Sequence, residues 1–163
     1  QIVIVRPAVA ACGEQHGFLP GDIEGKVGPW AAPVTEILRK SLGAANFERW
    51  MENETIRLVP FTYMRGMTFD NAFVMLDEAQ NTTPEQMKLF LTRIGEDTTV
   101  IVDGDASQRD LGGACGLTVA MRIAKLRHDI NAGIIEFTSQ DVQRSAIAKA
   151  FVQGFEEWEA GRG

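Results

Sequence analysis

Short apolar runs that alternate with helical patterns are the feature that most limits what this chain can fold into. Ile2 to Val5, Ile56 to Val59, Phe73 to Leu76 and Val100 to Val102 are such runs, and Ile134 to Phe137 makes a fifth. Most are continuous and rich in Val and Ile, which suits strands buried on both faces. Between them, apolar residues recur at helical spacing. Val34, Ile37, Leu38 and Leu42 share one face, with Gly43 as a C-terminal stop, and Phe47, Trp50 and Met51 suggest a second short helix. The clearest start is Thr83, a cap with Pro84 in the first turn and Gln86 completing a capping box, ahead of Met87, Phe90, Leu91 and Ile94. Leu117, Ala120, Met121 and Ala124 mark another helix, and Ile147, Phe151, Phe155 and Trp158 mark the last, capped by Ser145. These stripes read as core, not as cofactor contacts. The alternation predicts an α/β fold, a three-layer, mainly parallel sheet with helices on both faces. In such sheets chemistry gathers beyond the carboxyl ends of the strands.

The 163 residues fit one domain with a proper core, and 45% are hydrophobic. No apolar run reaches the length of a membrane span and no signal peptide is visible. Cys12 and Cys115 are far apart without metal-ligand spacing and read as ordinary thiols, which fits a cytoplasmic location. A net charge of -6 means that the surface as a whole does not attract nucleic acid, although a local basic patch can. The stretch from Cys12 to Gly28, with Gly13, Gly17, Gly21 and Gly25 around Pro20, reads as a long surface loop. Opening at Gln1 inside an apolar run, without Met, suggests upstream residues.

Three segments carry chemistry. The run from Phe73 to Leu76 delivers two adjacent carboxylates, Asp77 and Glu78, at a strand end. One can hold a metal through water while the next accepts a proton from an attacking water, as in a Walker B site with Mg²⁺ and a nucleoside triphosphate. The next strand ends on Asp103-Gly104-Asp105-Ala106-Ser107-Gln108. Gly104 permits a sharp turn or a close approach to a ligand, and Gln108 can sense a phosphate oxygen or a positioned water. Asp141-Val142-Gln143-Arg144 follows the fifth run and precedes the last helix, where Arg144 could neutralise charge on a transferring phosphoryl group.

Together these segments resemble the PhoH-like ATPase family, itself similar to the first motor domain of superfamily 1 helicases. The resemblance covers nearly the whole chain. It runs from Val5-Arg6-Pro7-Ala8-Val9 through Gly17-Phe18-Leu19-Pro20-Gly21-Asp22 and Tyr63-Met64-Arg65-Gly66 with Thr68-Phe69. It is most specific over Leu76 to Lys88 and Phe90-Leu91-Thr92-Arg93, and continues at Gly104-Asp105, Gln108 and Asp110-Leu111. The resemblance implies a P-loop NTPase core that binds ATP and Mg²⁺ and hydrolyses ATP, coupled to RNA or single-stranded nucleic acid, in a homo-oligomeric ring. It gives Asp77 the Mg²⁺, Glu78 the activation of water, and Arg144 a place near the γ-phosphate. Gln80 and Gln108 would link that phosphate to the nucleic-acid side, with Gly104 and Asp105 in the same nucleotide-binding motif. Arg6, Pro7 and Arg65 would lie near nucleic acid.

The chain departs from the family pattern at Met67, where Arg is common, at Ser107, where Thr is usual, and at Gly112-Gly113-Ala114, where Pro-Arg-Gly is usual. The sequence also contains no P-loop. Gly21-Asp22-Ile23-Glu24-Gly25-Lys26-Val27 is one residue short, lacks the hydroxyl and follows no strand. The expectation is a single PhoH-like domain over residues 1–163, incomplete at its N-terminus, whose P-loop lies upstream; alone it would turn over little ATP. Two alternatives stay open. One is a metal-dependent nuclease using Asp77, Glu78, Asp103 and Asp105. The other is a non-catalytic nucleotide-binding or assembly module.

Overall fold

A computed structural model describes residues 1–7, 23–108, 112–138, 141 and 146–161. Four of the five apolar runs form strands: β1 (Ile2–Arg6), β2 (Ile56–Pro60), β3 (Phe73–Leu76) and β4 (Thr99–Val102). They build one parallel sheet in the order β2-β1-β3-β4. The helices are α1 (Ile23–Leu42), α2 (Ala44–Glu52), α3 (Pro84–Leu91), α4 (Gly116–Leu126) and α5 (Ala146–Ala160). The architecture is therefore α/β, a parallel sheet with flanking helices. The chain divides into two compact units, Gln1–His128 and Asp129–Gly163.

The first unit holds the sheet. Val3 and Val5 of β1 sit beside Val74 and Leu76 of β3, and all four are fully buried. Met87 and Phe90 of α3 and Leu117 of α4 join them in one core cluster with Phe61, Met64 and Phe69. Burying a side chain of this size contributes about 1.5–3 kcal/mol, so this face supplies the main cohesion of the unit. The alternating residues behave differently. Ile4 and Ile56 are buried, with α1 and α2 packing on β2, but Phe73 and Ile101 are 40% and 44% exposed. Burial on both faces is thus met toward β2, where α1 and α2 pack, and not at Phe73 and Ile101.

Local signals fared well where chemistry fixes them. Thr83 caps α3: its hydroxyl accepts from the Gln86 amide at 3.3 Å, and the Gln86 side chain accepts from the Thr83 amide at 2.8 Å. Gly43, at φ 78°, separates α1 from α2. The expected loop up to Gly28 is shorter than read, since α1 begins at Ile23; residues 12–22 lie outside the described residues. Ile37 points to solvent in spite of its periodic position. Ile94 falls beyond α3 and instead bridges to Phe69.

In the second unit the expected strand from Ile134 to Phe137 does not form. Among the described residues of that unit it has no strand partner, and Ile135 and Phe137 are largely exposed. Helix α5 forms as read, but its stripe of Ile147, Phe151, Phe155 and Trp158 is exposed and is not core. Ser145, its expected cap, lies outside the described residues.

Candidate functional site

Parallel register brings three strand ends to one edge. Val5 pairs beside Leu76, and Leu76 beside Val102, so Arg6, Asp77 and Asp103 emerge next to one another. The chain passes from β1 to β2 on one side and then crosses to β3 on the other, so the strand order reverses between β1 and β3. Ligands of open α/β sheets bind in the crevice at such a reversal. Asp77 and Glu78 leave the sheet there. The backbone stays tied to both neighbours, because the Asp77 amide donates to the Val5 carbonyl at 3.0 Å and the Ala79 amide to the Asp103 carbonyl at 2.9 Å.

Glu78 has left-handed backbone, φ 54° and ψ 38°. For a residue with a Cβ this costs on the order of 1–2 kcal/mol. The turn keeps both carboxylates at the same edge, where a continuing strand would have sent them to opposite faces. One Glu78 oxygen accepts from Arg6 Nη2 at 2.8 Å, and the other accepts from Gln80 Nε2 at 2.7 Å. Arg6 also reaches Asp77, with Nε 3.4 Å from Oδ2. The other Asp77 oxygen accepts from the Glu78 amide at 2.9 Å. Burial pushes the Asp77 carboxyl above the ordinary range; Arg6 opposes this, while Glu78 and Asp103 add to it.

Gln80 is 2% exposed and joins two strand ends. Its amide nitrogen serves Glu78, and its oxygen accepts from the Asp105 backbone amide at 3.1 Å. Asp105 then organises the following turn. Its carboxylate accepts from the Ser107 amide and hydroxyl at 2.9 and 2.6 Å and from Gln108 Nε2 at 2.7 Å. These bonds, the Ser107 hydroxyl first, hold the Asp105 carboxyl below its ordinary range. One chain of contacts therefore runs Arg6, Glu78, Gln80, Asp105, Gln108. Gly104 makes it possible: a Cβ there would lie 2.6 Å from Gln80 Oε1 and 3.0 Å from the amides of Ala79 and Gln80. Its close approach is to Gln80.

Most of the expected site residues meet here. Asp77, Glu78, Gln80, Gly104, Asp105 and Gln108 form one network. Arg6 joins it as well, which its expected place near nucleic acid did not suggest. Pro7 is buried, so it offers little surface to a strand, and Arg65 is exposed beside Glu85 and Arg93. Arg144 and Asp110-Leu111 lie outside the described residues; Asp141 accepts from the Thr138 amide and hydroxyl at 2.8 and 2.9 Å. Met67, the position that departs from the family pattern, packs against the core. Among the described residues, no group of three or more His, Cys, Asp or Glu is placed to hold a metal ion, and no helix is long and apolar enough to cross a membrane.

A family model described as PhoH-like protein matches residues 1–156. The chain is 45% identical over 159 residues to a PhoH-like protein of Bacillus subtilis, covering 96% of this chain and 49% of that one. It is 44% identical to Protein PhoH of Escherichia coli, covering 95% and 44%, and 41% identical to a PhoH-like protein of Synechocystis, covering 98% and 48%. The chain thus spans just under half the length of these relatives.

Proposed function

The chain belongs to the PhoH-like protein family, and on that premise we propose that it forms the hydrolytic edge of a Mg²⁺-dependent ATPase coupled to RNA or single-stranded nucleic acid. The observation that carries the reading is the strained turn at Glu78, which sets two carboxylates side by side at the reversal of strand order. Left-handed backbone also occurs at Glu54, Asn71 and Asp97, so what distinguishes Glu78 is the carboxylate pair its turn presents at the strand reversal.

The residues present fit a nucleotide-bound Mg²⁺. That ion needs only one or two protein carboxylates, with water and phosphate oxygens completing its shell. Asp77, partly buried at the strand end with one oxygen toward Arg6, is the ligand this edge offers. Bound there, the ion would stabilise charge on the phosphate oxygens. Glu78 is the general base. Arg6 and Gln80 hold its two oxygens in place, and a carboxylate keeps further lone pairs for a proton. Its side chain is 40% exposed, so water can reach it. Gln80 passes the position of Glu78 to Asp105 and Gln108, which would read the terminal phosphate. Arg144 would add positive charge to that phosphate. A Gly-rich phosphate loop with its Lys, absent from these 163 residues, would come from an upstream part of a longer chain, and a homo-oligomeric ring is the assembly we favour. The absence of a larger carboxylate cluster among the described residues favours this reading over a two-metal nuclease.

The test is Glu78→Gln in a chain extended to include a phosphate loop. Gln keeps the shape but cannot take a proton, so steady-state turnover should fall about 10²–10⁴-fold with ATP binding retained. Unchanged turnover would remove Glu78 from this role. The 163-residue chain alone should hydrolyse ATP negligibly.

A further inference from the structure

Away from the Asp77–Glu78 edge, α3 and the turn after β2 enclose a wide-mouthed pocket of about 420 Å³, lined by Arg65, Gly66, Glu85, Gln86, Leu89 and Arg93. Arg93 Nε is closed off from solvent and has no acceptor among the described residues. A buried donor without an acceptor is unfavourable, and turning the guanidinium into the pocket would let a ligand supply one. Two guanidinium groups face one carboxylate, so the pocket is positive within a chain of net charge -6. Glu85 stays ionised, because its own backbone amide and the Thr83 side chain hold its carboxyl low.

We propose that Arg65 and Arg93 form a phosphate-binding pocket that takes a phosphodiester of a single-stranded polynucleotide. The guanidinium fork matches phosphate oxygens. The width of the pocket and its Leu89 wall suit a phosphate that carries a sugar, since a free ion would leave that wall uncovered. The pocket deepens the nucleic-acid part of the proposed function and rests on it for the choice of strand, but not on ATP hydrolysis. It also opens on α3, which starts directly after the Gln80 turn.

Two measurements on the 163-residue chain test this without nucleotide. Fluorescence anisotropy with a labelled oligouridylate should give about tenfold weaker binding for Arg65→Ala and for Arg93→Ala. Each variant should also lower the slope of log affinity against log salt by about one. The Arg93 Nε–H resonance should shift on adding the oligonucleotide. Arg65 is exposed, so its variant tests the pocket even if Arg93→Ala folds poorly. A shift with inorganic phosphate but unchanged oligonucleotide affinity would keep the phosphate site and overturn the strand as its source. No shift with either, or preferential binding of an acidic peptide, would overturn the pocket.

Discussion

The turns after β3 and β4 leave the same sheet edge side by side, and they are held in opposite ways. After β3, Gln80, Asn81 and Thr82 are buried, and the Thr82 hydroxyl donates to the Ala79 carbonyl at 2.7 Å. After β4, Asp103 to Gln108 are exposed, and the carboxylate of Asp105 gathers the turn around itself. A buried polar group that loses its partner keeps its full desolvation penalty, whereas an exposed one exchanges its partner for water. The β3 turn should therefore govern stability and function together, and the β4 turn should govern function with little effect on stability.

Gln80→Ala should have the largest effect on stability. It removes both amide contacts and leaves buried space, a loss of about 2–4 kcal/mol. Thermal unfolding should then drop by roughly 5–10 °C. A change under about 2 °C would mean that the backbone alone holds the turn, and the comparison would fail. Gly104→Ala comes next, because it crosses the divide: it sits on the exposed turn but touches the buried one. Overpacking there should cost about 1–3 kcal/mol, and an unchanged melting temperature would show that Gln80 yields easily.

Asp77→Asn should act in the other direction. A carboxyl raised by burial contributes stability below its ordinary range and loses it as pH rises through the folded-state value. At neutral pH the ionised Asp77 is thus a burden, and the variant should melt on the order of 2 °C higher. The difference should vanish in acid; a lower melting temperature at neutral pH would mean that pairing with Arg6 outweighs burial. Asp105→Ala should have the smallest effect, below about 1 kcal/mol at an exposed site. Its lowered carboxyl stabilises the fold above the ordinary Asp range and loses that contribution as pH falls through the lowered value. Melting curves of wild type and variant should converge in acid, and a gap that persists there would give the turn another anchor.

The parts of this edge that the sequence made legible are those set by near neighbours. The Thr83 capping box spans three residues, and Asp77-Glu78 adjoins its strand. Arg6 could not be read as a partner of Glu78, since 72 residues separate them and only parallel pairing of β1 with β3 joins them. The resemblance placed Arg65 near nucleic acid, but that it shares a pocket with Arg93 escaped for the same reason. Its signal, a basic residue on each of two turns, is common in any surface.

Apolar runs, helical spacing and capping residues alone located four strands, the start of α3 at Thr83, the stop of α1 at Gly43 and the carboxylates at a strand end, because backbone sterics, capping and side-chain packing act over a few residues. Tertiary structure decided which periodic faces found cover. Val3 and Val74 are buried under α3 and α4, while Phe151 and Phe155 repeat just as regularly and stay exposed. It also decided that Ile134 to Phe137, three of whose four residues are apolar, remains irregular. A strand needs a neighbour for its backbone hydrogen bonds, and a hydrophobic stripe needs a surface that excludes water, and neither is written in the segment itself.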